Sequence, residues 1–312
     1  MKKIILLIIF TLSMSACSDN QSEIISEVEE IEIPIETIEV IKEVPIEEME
    51  ILDLLKIKLS EKGYIDSTII ELVKELKLFE LTPLLVFDYV EDINLYIEDC
   101  ISHRDTNSQD YFVLSNNYTS FYQNTMETKD IGTLKVLVNK NYYLPSDYIP
   151  DVVPLSAEYA RDNMSMVEEA ADMFMKMSDA AAAEGLKIYG TSGYRSYDRQ
   201  EYLYNNYKSQ WGEFEADNVS ARPGHSEHQT GLVMDLTVDG GLSSFTGTDE
   251  DLWMMNHSFE YGFILRYPEN KSIITGYNYE SWHYRYIGID LAKKVYDSNM
   301  TYDEYYNLYL KS

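Results

Sequence analysis

The chain has 312 residues, 45% of them hydrophobic, enough for a sizeable core and about two domains on the usual size range. Its 54 acidic side chains against 25 Lys and Arg give a formal charge of −29. That balance excludes nucleic acid as a partner, because phosphate binding needs clustered cations, and it reads as a solvated acidic surface.

Lys2-Lys3, the apolar run Ile4 to Leu12 and Ser13-Met14-Ser15-Ala16-Cys17 form an export signal. The apolar run is shorter than the roughly 20 residues of a membrane span, which favours cleavage over permanent anchoring. The small residues before Cys17, with Met14 where Leu is usual, resemble a bacterial lipobox. That resemblance implies a signal peptide over residues 1–16, a lipidated Cys17 and an extracytoplasmic protein anchored to an envelope membrane. Cys100 is then left single, so no intramolecular disulfide is expected and its thiol reads as a small buried apolar group.

Residues 17–50 interleave Glu with Ile and Val and are broken by Pro34 and Pro45, which predicts a self-repelling tether with a reach of at most roughly 100 Å. An edge strand is the other reading of the alternation, and the prolines and the one-sided charge weigh against it. Residues 51–130 read as a helical module. Ser67 is placed to cap a helix whose Ile69, Leu72, Val73 and Leu76 recur at i, i+3, i+4 and i+7, and Thr82-Pro83 marks another helix start. A packing accessory or spacer is the plainer role for it, with wall binding or substrate presentation as the alternative.

Residues 131–312 read as the larger, second domain. It opens on a β-rich run, Thr133 to Val138, followed by a helix over Ser156 to Glu184 with Val167, Ala170, Ala171, Phe174 and Ala181 on one face and Gly185 as its cap. The nearby methionines read as adaptable packing. Strands follow at Leu186–Tyr189, Leu232–Val238, Phe263–Arg266 and Ser281–Tyr286. Helices are expected at Asp198–Trp211, Asp249–Tyr261, Ile289–Asn299 and Thr301–Leu310, and the whole indicates an α+β class.

Within this frame His228, Asp235 and His283 offer two imidazoles and one carboxylate, a donor set suited to Zn2+ with an open fourth position. Gly231 lets the chain turn between His228 and the strand carrying Asp235, and Glu280, three residues before His283, supplies a base. His103, His225 and His257 read as hydrogen-bonded structural histidines.

Four segments taken in order are highly specific: Thr191-Ser192-Gly193-Tyr194-Arg195-Ser196 with Gln200, Ala221 to Gly231, Tyr261 to Pro268, and Glu280 to Tyr286. Together they resemble the zinc D-alanyl-D-alanine carboxypeptidases of the VanY type, over residues 134 to 312. The resemblance implies a hedgehog/D,D-peptidase-like antiparallel sheet flanked by helices, here preceded by the helical module and the acidic tether. It also implies a zinc held by His228, Asp235 and His283, with Glu280 moving the proton of an attacking water. Arg195 is implied as the partner of the oxyanion, Ser226 as the contact for the peptide's terminal carboxylate, and Gln200 as lining the same pocket. Val233 stands where the family has Ala, and Glu227 reads as exposed. The expected reaction is removal of the terminal D-Ala from peptidoglycan stem peptides. The near alternative is an L,D-carboxypeptidase. The other is a non-catalytic zinc-containing wall-binding module, against which Glu280 and Arg195 argue.

Overall fold

The computed structural model describes residues 46–104, 118, 121–238 and 245–311. The signal segment, Cys17 and the tether up to residue 45 lie outside the described residues, as does the side chain of His103.

Helix α1 (Ile46–Glu61) begins inside the stretch expected to be tether. It is followed by α2 (Asp66–Glu75), two single-turn helices at Leu78–Leu81 and Pro83–Val86, and α3 (Ile93–His103). The spacing of apolar residues in α2 buries Ile69 and Leu72, but Ile65 rather than Ser67 precedes its first turn, and Asp66 places a carboxylate at the positive end of the helix dipole. Pro83 occupies a first helical position after Thr82, as expected, because a missing N–H costs nothing there. Cys100 is buried, and burial pushes its thiol up to about 12, so it has no nucleophilic character. The core of these helices, built on Leu55, Leu59, Leu72, Leu81 and Leu84, is completed by Ile273, Ile274 and Leu308 from the far end of the chain.

The expected strand over 133–138 is absent. Val136, Leu137 and Val138 are buried in irregular backbone, because side chains rather than a neighbouring strand take their carbonyls. Arg285 donates to the Leu134 and Val136 oxygens at 3.2 and 2.8 Å, and the Thr128 hydroxyl donates to that of Leu137. The long helix also starts later than expected, as α4 (Glu168–Ala183), since Ser165–Met166 pairs with Val153–Pro154 in an antiparallel ribbon after Asn163 adopts a left-handed backbone. From α4, Ala170, Ala171, Phe174, Met177 and Ala181 enter the main core.

Four strands make the central sheet: β1 (Tyr189–Ser192), β2 (Val233–Thr237), β3 (Phe263–Leu265) and β4 (His283–Tyr286). They run in the order β1-β2-β4-β3 and every pairing is antiparallel, so the class is α+β. Met234 and Leu236 of β2 face the core, which by strand alternation turns Asp235 the other way. Helix α5 (Tyr197–Trp211) leaves β1 with Ser196 capping its first turn through Arg199 N at 3.3 Å. Helix α6 (Asp249–His257) relaxes into a tighter turn, Ser258–Tyr261, that Gly262 ends at a φ of 83°. Helix α7 (Ile289–Ser298) and a capped turn at Tyr302–Tyr305 close the fold.

Candidate metal centre and active site

Register brings the first residues together. Asp235 lies directly across from Ser192 on β1 and from His283 on β4, so three neighbouring strands present one row to the same face. His228 arrives from the turn Glu227–Thr230, which Gly231 closes with a φ of 70°, a backbone state that favours glycine. The His228 Nδ1 stands 2.8 Å from the Gly193 carbonyl. A carbonyl only accepts, so Nδ1 carries the proton and the lone pair of Nε2 is aimed at Asp235 Oδ2, 3.2 Å away.

The third donor is His283 Nδ1, 3.0 Å from Asp235 Oδ1. Asp235 Oδ1 nevertheless has no hydrogen-bond partner by direction, so these short contacts are those of atoms converging on a common point. One ligand atom from each of the three buried residues lies within 4.8 Å of the others. Tetrahedral bonds of zinc to nitrogen and oxygen place ligand atoms about 3.3 Å apart, which these contacts match. The electrostatics agree with the geometry. Burial raises Asp235, but the two imidazoles more than reverse that and hold its carboxyl well below the usual range. Burial lowers His283, but the carboxylates of Asp235 and Glu227 beside it carry it up to about 9. The cluster therefore calls for positive charge, and its donor set fits a divalent ion.

Gly193 makes this possible by close approach. A Cβ there would lie 2.5 Å from the backbone oxygen of Ser165, the same oxygen that accepts from Tyr194 N at 2.8 Å. Gly193→Ala is expected to cost about 1–3 kcal/mol of stability through overpacking. It should also pull the carbonyl off His228. A thermal melt indistinguishable from the parent's would refute this.

Around the centre stand the other expected residues. Glu280 Oε2 lies 3.5 Å from His283 Nδ1, and burial pushes its carboxyl up to about 7, with His283 and Arg195 opposing and Asp235 adding. Arg195 is held by Gln200 Oε1 and Ser192 Oγ, both at 2.8 Å, and its own N–H donates to the His228 carbonyl at 3.1 Å. Those side-chain bonds use two of the five guanidinium donors. Gln200 is buried, and its amide nitrogen donates to Ser220 Oγ and to the Ala221 carbonyl, so this side chain is engaged in holding Arg195. Ser226, two residues before His228, is buried, and its hydroxyl does not cap the turn that follows.

His225 donates to or accepts from nothing in the cluster; its Nδ1 lies 2.8 Å from the Asn139 carbonyl, and His257 pairs with Glu260 at the surface. Glu227 departs from the reading as exposed: it is 2% exposed and its Oε1 accepts from Arg266 Nε at 2.9 Å and Arg285 Nη1 at 3.0 Å. Arg266 in turn pairs with Asp303, which accepts from Asn139 at 2.7 Å. A signal was available in the sequence: arginines embedded in the apolar strands Phe-Ile-Leu-Arg and His-Tyr-Arg-Tyr demand buried acids.

A family model described as "VanY: D-alanyl-D-alanine carboxypeptidase" matches residues 163–289, which contain the three donors, Glu280, Arg195, Gln200 and Ser226. A D-alanyl-D-alanine carboxypeptidase of Enterococcus faecium is 30% identical over 254 residues, 75% of this chain and 80% of the relative. The chain belongs to the VanY family. A putative carboxypeptidase, YodJ, of Bacillus subtilis (strain 168) is 44% identical over 179 residues, 54% of this chain and 66% of that relative, so the chain spans just under two thirds of its length. Among solved structures, that of the LdcB LD-carboxypeptidase, described as revealing the molecular basis of peptidoglycan recognition, superposes with a TM-score of 0.56 at 40% identity. That likeness covers 59% of this chain and 90% of LdcB. The VanY-type sheet and its flanking helices are thus shared, while α1 to α3 lie before residues 163–289 of the family model.

Proposed function

We propose that this VanY-family chain is a zinc-dependent carboxypeptidase that removes the C-terminal D-Ala from peptidoglycan stem peptides. The observation that carries the reading is the convergence of His228, Asp235 and His283 on one point with Glu280 beside them. His228, Asp235 and His283 would hold a zinc ion, which would supply the Lewis acidity for attack of water on an amide at neutral pH. Glu280 Oε2 accepts the proton of the attacking water and returns it to the departing amine. Arg195, pinned by Gln200 and Ser192, presents its remaining donors to the oxyanion that forms on the scissile carbonyl. Gln200 serves the substrate pocket by fixing Arg195, and Ser226 takes the terminal carboxylate of the peptide.

An L,D-specific reaction is the second reading, favoured by the 40% identity to LdcB. Defined muropeptides separate the two. D-Ala released from pentapeptide stems, leaving tetrapeptides, supports the first reading; tripeptides formed from tetrapeptides, with pentapeptides untouched, replace it with the second. Failure to cleave either stem in the zinc-loaded protein would leave the wall-binding module.

No helix among the described residues is long and apolar enough to cross a membrane. Attachment is assigned to lipid on Cys17, outside the catalytic fold, with action on the outer side of the membrane. Cys17→Ala is expected to release the protein from the membrane fraction or block its processing, and identical fractionation and processing of the two forms would refute the anchor.

A further inference from the structure

Glu227 sits between Ser226 and His228, and its two oxygens have different surroundings. Oε1 takes both arginines, Arg266 and Arg285, which accounts for its lone pairs. Oε2 is buried with no hydrogen-bond partner, and so is His283 Nε2. The two orphans face each other across 3.7 Å. With Nδ1 of His283 committed to the donor cluster, a neutral ring must carry its proton on Nε2, and Glu227 Oε2 is the carboxylate oxygen 3.7 Å from it. A buried N–H and a buried carboxylate oxygen are each costly to leave unmade, and a shift on the order of 1 Å brings them to bonding distance.

We infer that Glu227 is the positioning residue for His283: it accepts the Nε2–H bond, fixes the ring with Nδ1 toward the metal and strengthens that nitrogen as a donor. The inference rests on the metal-centre reading. His228 differs, because its outer nitrogen meets only the neutral carbonyl of Gly193. The centre is thus supported by a carboxylate on one imidazole and a peptide oxygen on the other, and a carboxylate behind a ligating imidazole raises its basicity and secures its tautomer. The two arginines keep that carboxylate ionised and immobile.

The test uses the full chain loaded with zinc. In the parent protein, nitrogen-15 spectra of the imidazoles should show His283 protonated on Nε2 and His228 protonated on Nδ1; His283 bound through Nε2 would overturn the inference. This measurement does not depend on any variant folding. Chelator competition should then show Glu227→Gln binding zinc about 10- to 100-fold more weakly. Asp303→Asn removes an acid from the same arginine cluster without facing His283, and it should keep near-parental affinity while losing comparable thermal stability. Equal weakening in both variants, or parental affinity in folded Glu227→Gln, sinks the positioning role. If the parent binds no zinc, or His283→Ala binds it unchanged, the failure lies instead with the metal-centre reading.

Discussion

Glu280→Gln should take up zinc as the parent does and release D-Ala from pentapeptide stems about 10²- to 10⁴-fold more slowly. Gln keeps the size and leaves His228, Asp235 and His283 in place, but it cannot accept the water proton. The loss is expected near the upper end of that range because the same oxygen serves twice, first taking the proton from water and then delivering it to the amine. The carboxylate is 3.5 Å from His283 Nδ1, close enough to receive a proton from a water at the centre. Near-parental turnover by zinc-loaded Glu280→Gln would end the mechanism while leaving the metal site standing.

The second large effect concerns the metal itself. The parent should bind about one zinc per chain, and each of His228→Ala, Asp235→Ala and His283→Ala should lose most of it. Asp235→Ala is expected to be the most severe, since Asp235 lies against both imidazoles. Loading raises stability by about 4 kcal/mol at a thousandfold excess over Kd, so the zinc-dependent rise in Tm should vanish with the metal. Unchanged zinc stoichiometry in all three variants would eliminate the assignment.

Much of this centre is legible in the amino-acid sequence alone. The donors and Glu280 stand out because His, Asp and Glu-x-x-His are few and chemically matched, and the alternation of Leu232, Met234 and Leu236 already turns Asp235 away from the core. Supporting groups are harder to see. Glu227 looks like any surface acid until Arg266 and Arg285, distant in sequence, close over it. Gln200 suggests a pocket wall, yet its carbonyl and amide are both used inside the protein, an outcome set by packing between α5 and the loop at Ser220. The fold shows the same division. Strongly periodic segments such as α2 and β2 match their patterns, whereas the apolar run 133–138 satisfies every strand criterion and forms none, because Arg285 and Thr128 claim its carbonyls. Pattern reports which residues want burial, and the partner that satisfies the backbone is decided by the tertiary fold.

The sharing of one core by α1, α2 and the segment around Leu308 bears on the order of assembly. Leu308 packs among Leu55, Leu59 and Leu72, and Thr82 donates its hydroxyl to Glu304, one residue from the Asp303 that holds Arg266. Helices α1 and α2 therefore share a core with residues far along the chain, the Thr82–Glu304 bond spanning 222 residues, and closing so long a loop is entropically slow. A chain truncated before residue 300 should remain protease-sensitive at α1 and α2, and parental resistance in that form would refute the shared core.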